Sequence, residues 1–231
     1  MRYSLMPSAR TTPHYGVLLV VLLVLFVVAP LLPPERAGYG VELFFDLVLV
    51  TGAYSAAWQS RHRFPFLALT AVTLAMRWTD MALDHSAFSL ASIVLVFLWL
   101  VYAIGLIVAA LFRMEKVNTN AILGAIVAYV LTAVAFAMAF LLIELLQPNS
   151  FTGLPTGGVQ RELEHALLYF SFICITTMGF GEIVPVSELA RSSVALEGAF
   201  GTLYLAVMIA RLVGLQSAAK ADASPRPSDG S

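Results

Sequence analysis

The sequence predicts an all-α membrane protein with six spanning helices, and a short helix and irregular loop that enter and leave the bilayer between the fifth and sixth. Three observations predict it. Of 231 residues, 60% are hydrophobic and only 12% are charged, against about 25% charged in a soluble domain, so the chain lacks the polar residues that cover a surface in water. Apolar runs recur at the length that crosses about 30 Å of hydrocarbon, about 20 helical residues. Between the last two runs lies a short apolar stretch and a loop with Gly179 and Gly181 one residue apart.

The spans follow in order. Residues 11–34 carry no Asp, Glu, Lys or Arg, with a core at 17–29. The alternative for this run is a cleaved signal peptide, since Arg2 and Arg10 precede it, but it is long for a signal and no A-x-A site follows closely. Residues 40–58 carry Glu42 and Asp46, and 64–83 carry Arg77 and Asp80, yet both runs stay mostly apolar. Residues 86–112 and 117–143 are free of charge, and 192–215 carries Glu197 and Arg211. From 147 to 164 the chain turns polar, with Pro148, Gly153, Pro155, Gly157 and Gly158, which predicts a loop. The apolar stretch 165–176 is too short to cross. From Ser217 onward Ala, Ser, Pro, Asp and Gly dominate, which predicts a disordered tail. The chain therefore divides into a four-helix region at 1–116, a unit of outer helix, short helix, loop and inner helix at 117–216, and a tail at 217–231.

Lys and Arg set the orientation. With six spans both termini share a side. Placing them in the cytoplasm puts Arg2, Arg10, Arg61, Arg63, Arg113, Lys116, Arg211, Lys220 and Arg226 there, leaving Arg36, Arg161 and Arg191 outside. The loop at 147–188 then faces outward, in a cell membrane, with the lipid bilayer as the expected surroundings.

Several function classes are excluded. A formal net charge of -1 supplies no field for nucleic acid. The single cysteine, Cys174, excludes an internal disulfide and a Cys-based zinc cluster, and reads as a small buried residue. Asp84 and His85 alone make no metal site. No nucleophile motif, phosphate-binding glycine loop or ligand cluster is present, so no enzyme, cofactor or soluble substrate is expected.

The stretch 165–185 reads HALLYFSFICITTMGFGEIVP. Irregular backbone at membrane depth is tolerated where it is buried in protein or lines water. Successive carbonyls can replace the water around a dehydrated cation if they all point the same way, which requires alternating backbone hand. Gly179 and Gly181 can take positive φ without a Cβ clash, and the Thr177 hydroxyl can add an oxygen layer. One chain makes one wall, so rotational symmetry must supply the others, and four copies give rings of carbonyls. The short helix presents its partially negative C-terminal end to the cation, and Glu182 would ring the outer mouth with carboxylates.

Thr176 to Glu182 resembles the potassium-channel signature T-T-V-G-Y-G-D, with Met178 for Val, Phe180 for Tyr and Glu182 for Asp. The resemblance takes in Tyr169-Phe170 as the aromatic pair of the family's pore helix, Pro185, and Gly201 at the family's gating-hinge glycine, and covers 117–215. It implies a homotetramer with potassium ions bound by the carbonyls of Thr177, Met178, Gly179 and Phe180. Phe180 lacks the hydroxyl of the family's tyrosine, and Ile173 stands where some bacterial members carry a glutamate behind the filter. The residues 42–48 also resemble a motif of the low-temperature-requirement A family.

The first four spans depart from voltage-gated relatives: 86–112 contains no arginine, and Arg113 lies just past its end. Glu42 and Asp46 stand at i and i+4 on one helix face, at the depth of Arg77 and Asp80, which predicts that Arg77 pairs with Asp46 or Glu42. Glu197 faces either the pore or the back of the filter, the second being preferred. The leading expectation is a passive potassium channel. A weakly selective cation channel and a small-molecule transporter or sensor are the alternatives, although no inverted repeat or broken helix of a transporter is visible.

Overall fold

The computed structural model describes residues 15–28, 46–52, 63–83, 86–114, 118–155 and 160–223. Seven helices appear among them: α1 (Tyr15–Val28), α2 (46–52), α3 (Arg63–Leu83), α4 (Ser86–Arg113), α5 (Thr119–Leu146), α6 (Gln160–Ile175) and α7 (Glu188–Ala223). Three are long and apolar enough to cross a membrane, over Ser89–Arg113, Thr119–Leu146 and Glu188–Leu215, while α1 and α3 contribute the shorter apolar runs Tyr15–Val24 and Phe64–Thr79. The chain is thus an all-α membrane protein. Of the expected span at 40–58, only 46–52 lies within the described residues.

α5 is the central helix and packs against α1, α4, α6 and α7. Its sequence explains this position. Ala121, Ala125, Ala128, Ala133, Ala135 and Ala137 are all buried, and small side chains let neighbouring backbones approach closely, the mode of helix packing that works where lipid removes a hydrophobic drive. Asn118 opens the helix, its side chain accepting from Ala121 N at 2.8 Å. α1 lays Tyr15, Leu18 and Leu22 on this core and leaves Val17, Val20, Leu23 and Val24 exposed. A water-facing helix would carry polar residues there.

On the far side, α4 joins α3 to α5. Trp99 of α4 is fully buried and stacks on Phe66 of α3 at 5.3 Å, and its indole N–H donates to Thr70 Oγ1 at 2.8 Å. That bond satisfies the one polar atom of a large apolar ring inside the packed region.

Among the boundaries that differ from the sequence expectation, three stand out. α6 begins at Gln160 rather than near His165, because Gln160 to Glu164 are mostly good helix formers and Glu162 complements the N-terminal dipole. α7 continues through Ser217 to Ala223, over alanines with high helix propensity where the composition predicts a tail. The expected loop at 147–164 contributes a strand, β1 (Phe151–Thr152), which pairs antiparallel with β2 (Val184–Pro185), just before α7.

Candidate functional site

α6 ends in a closed cap. Met178 N donates to Ile173 O at 2.9 Å and Thr177 N to Cys174 O at 3.0 Å. This 6→1 and 5→2 pair is the Schellman arrangement, in which the residue after the cap is left-handed. Here that residue is Thr177, with φ 60°. Gly179 follows at φ 54° and Gly181 at φ 81°, while Met178 and Phe180 stay out of the positive region. The backbone thus alternates in hand at every second residue from 177 to 181. Such alternation is what a column of aligned carbonyls requires. All five residues are exposed, and a Cβ on Gly179 or Gly181 would meet nothing within 4 Å, so backbone conformation rather than crowding within the chain demands glycine there.

The loop is anchored at both ends. Behind its start, the Ile175 carbonyl accepts from Tyr129 Oη of α5 at 2.9 Å. The same carbonyl lies against Gly201 of α7, where a Cβ would come within 2.6 Å of it. Gly201 is therefore a point of close approach between α6 and α7, and α7 runs unbroken through it. Tyr204, a turn further on, donates to Ala125 O at 2.8 Å. At the far end, Tyr169 Oη donates to Glu182 Oε2 at 3.1 Å. Desolvation first, and then this carboxylate, hold the Tyr169 phenol above its ordinary pKa. Thr176 turns its hydroxyl back to Phe172 O at 2.6 Å. Phe170 joins Phe140 of α5 and Phe151 of β1 in a three-ring cluster, with centroids 5.5 to 5.7 Å apart.

The segment before α6 supports the exit. The Glu144 carboxylate at the end of α5 accepts from Asn149 N at 2.8 Å, Ser150 N at 2.9 Å and Phe151 N at 3.1 Å. This fixes β1, which lies against the chain leaving the loop. Gly153 closes the pair with φ 83°, and a Cβ there would collide with the Glu182 carbonyl. None of these supports is read from the sequence alone, although Gly153 in a Pro/Gly-rich segment is a visible signal.

Two groups of charges remain. Arg77 Nε of α3 donates to Asp46 Oδ1 of α2 at 3.0 Å, and Trp78 Nε1 to Asp46 Oδ2 at 3.0 Å. Trp78 is a partner that sequence reasoning misses; Glu42 lies outside the described residues. Glu197 of α7 is fully buried against α6 and hydrogen-bonded to Ser171 Oγ, which also contacts Ala133 O of α5 at 2.6 Å. Among the described residues, Glu197 Oε2 has no hydrogen-bond partner.

Residues 161–215 match a family model described as ion channel. No curated protein and no solved structure gives a match. The matched segment holds α6 from its second residue, the 176–187 loop and α7 as far as Leu215, so the part of this all-α membrane protein that carries the alternating loop is similar to an ion channel.

Proposed function

We propose that the protein is one subunit of a homotetrameric potassium channel, conducting passively through a pore lined by the carbonyls of Thr177, Met178, Gly179 and Phe180. One observation carries the reading: left-handed backbone at 177, 179 and 181 directly after the C-terminus of α6. Such a segment presents a column of oxygens to a cation, and the helix end behind it adds partial negative charge. The exposure of that segment in a single chain supports the tetramer, because a carbonyl column is complete only when copies surround an axis. The exposed apolar face of α7, including Leu189, Leu196, Phe200 and Leu203, supports it too.

In this reading six spans cross a cell membrane, both termini are cytoplasmic, α6 re-enters from outside, and Glu182 rings the outer mouth. Gly201 remains the proposed hinge of α7, in addition to its packing against Ile175. Potassium is the transported ion, and no cofactor takes part. Reversal potentials of purified protein in planar bilayers, under opposed potassium and sodium gradients, test this. The expected result is a potential that follows potassium. Equal permeability of the two ions would leave a weakly selective cation channel, the reading that the missing Phe180 hydroxyl favours.

A further inference from the structure

We propose that Glu197 is a positioning residue for α6 and that it works as a neutral carboxylic acid, donating its own proton to Ser171 Oγ from behind the conducting loop. The role in conduction rests on the channel reading; the protonation state does not.

The argument is a count of hydrogens. A serine hydroxyl has one to give. Ser171 Oγ lies 2.6 Å from the Ala133 carbonyl and within bonding distance of Glu197 Oε1. A backbone carbonyl can only accept, so the serine hydrogen belongs between Oγ and Ala133 O. The contact to Glu197 then needs a second hydrogen, and only a protonated carboxyl can bring it. The reverse assignment would press two lone-pair oxygens together at 2.6 Å with no hydrogen between them.

Solvation points the same way. Glu197 has 0% exposure, so neither water nor a neighbouring copy reaches it. An ionised carboxylate there would hold charge on Oε2 with no donor at all, which is far costlier than an unpartnered neutral carbonyl oxygen. Among the described residues, the titratable groups that face it are Tyr129 on α5 and Cys174 on α6. Both are neutral acids at physiological pH and offer no counter-charge.

The location explains what the proton does. Ser171 and Ile175 stand at i and i+4 on α6, and Glu197 and Gly201 at i and i+4 on α7, so the two contacts are successive rungs between the same faces. The lower rung fixes the residue from which the alternating loop departs. The upper rung, held by the acid proton, fixes the rotation of α6 about it.

Infrared difference spectroscopy of the purified protein at neutral pH decides the protonation. A carboxylic-acid C=O band that shifts in D2O, disappears in Glu197→Gln and moves in Ser171→Ala is the expected result. No such band would overturn the proposal, whether or not the protein conducts. The positioning role is read from conduction: Glu197→Gln, whose amide can donate as the acid does, keeps wild-type conductance and ion choice, and Glu197→Ala loses conductance. A Gln variant that is folded but silent would overturn it. If wild type itself carries no current, the channel reading fails while the band still settles the acid.

Discussion

Thr177 carries a β-branched side chain at φ 60°, a position that glycine fills in most helix caps of this type. The left-handed conformation costs a residue with a Cβ about 1–2 kcal/mol, and such strain persists where the surroundings over-determine it. Here the surroundings are two cap hydrogen bonds and the Tyr129 bond to Ile175 O. A glycine would relax the backbone but would remove the hydroxyl that, in the proposed channel, would stand at the entrance to the carbonyl column. Gly179 has no such competing demand. Its φ of 54° and the open space around it make conformation the whole reason for glycine. Gly179→Ala is therefore expected to fold and insert, since the helices bury their surfaces without it, yet to conduct little or to lose ion discrimination. Bilayer recordings check this against a size-exclusion profile that matches wild type. A variant that conducts and selects as wild type does would remove the backbone from the mechanism.

The α2–α3 pair shows what single elements expose of themselves in sequence. Asp46 and Arg77 were legible as partners because two charges at equal depth in apolar runs must meet or be expelled, and their Nε to Oδ1 distance is 3.0 Å. Trp78 was not legible: an aromatic in a hydrophobic run gives no sign that its N–H is spoken for. Among the described residues, replacing Arg77 by Leu leaves Asp46 one donor, from Trp78. Breaking a fully buried pair costs roughly 3–5 kcal/mol, and less here, where the two side chains keep 20% and 16% exposure. Thermal stability in detergent should fall, and Asp46→Asn added to it should recover part of the loss. No recovery would mean that the pair is incidental. The same contrast runs through the site. The spacing of Gly179 and Gly181 was legible because chemistry fixes it residue by residue. The Glu144 cap, the β1–β2 pair and the Ser171–Glu197 contact were not, because they join residues through folded geometry that no periodicity encodes. The start of α6 and the end of α7 are not legible for another reason: 160–164 and 217–223 hold good helix formers, but their polar and small composition equally fits a loop or a tail.

Across the whole molecule, α4 is bonded to the 160–223 segment at both ends. Ser89 Oγ donates to Gln160 Oε1 at 2.9 Å, at the start of α6. At the other end Arg211 of α7 reaches the carbonyls of Leu111, Phe112 and Met114 at 3.2, 2.7 and 3.1 Å, with its guanidinium 4.9 Å from the Phe112 ring. A cation on the last carbonyls of a helix is favoured by its dipole. α4 itself carries Arg113 in its last turn and no charge before it. Each charge moved across the field is worth about 2.3 kcal/mol per 100 mV, so conductance should vary only weakly with voltage in symmetric solutions; a steep curve with several gating charges would contradict this. The Arg211 contact gives the first helices another way to act on α7, through a mechanical tie. Bonds to a charged donor contribute roughly 1.5–3 kcal/mol each when sheltered, and less at the half-exposed Arg211. Arg211→Met keeps the apolar stem and removes every donor, whereas Arg211→Lys keeps charge and three donors. Hydrogen exchange should accelerate at the end of α4 and along α7 beyond 208 in the Met variant, much less in the Lys variant, and not at all in the capped 144–151 turn. Equal acceleration in both variants, or acceleration throughout the chain, would show that Arg211 supports packing alone and that α4 does not hold α7.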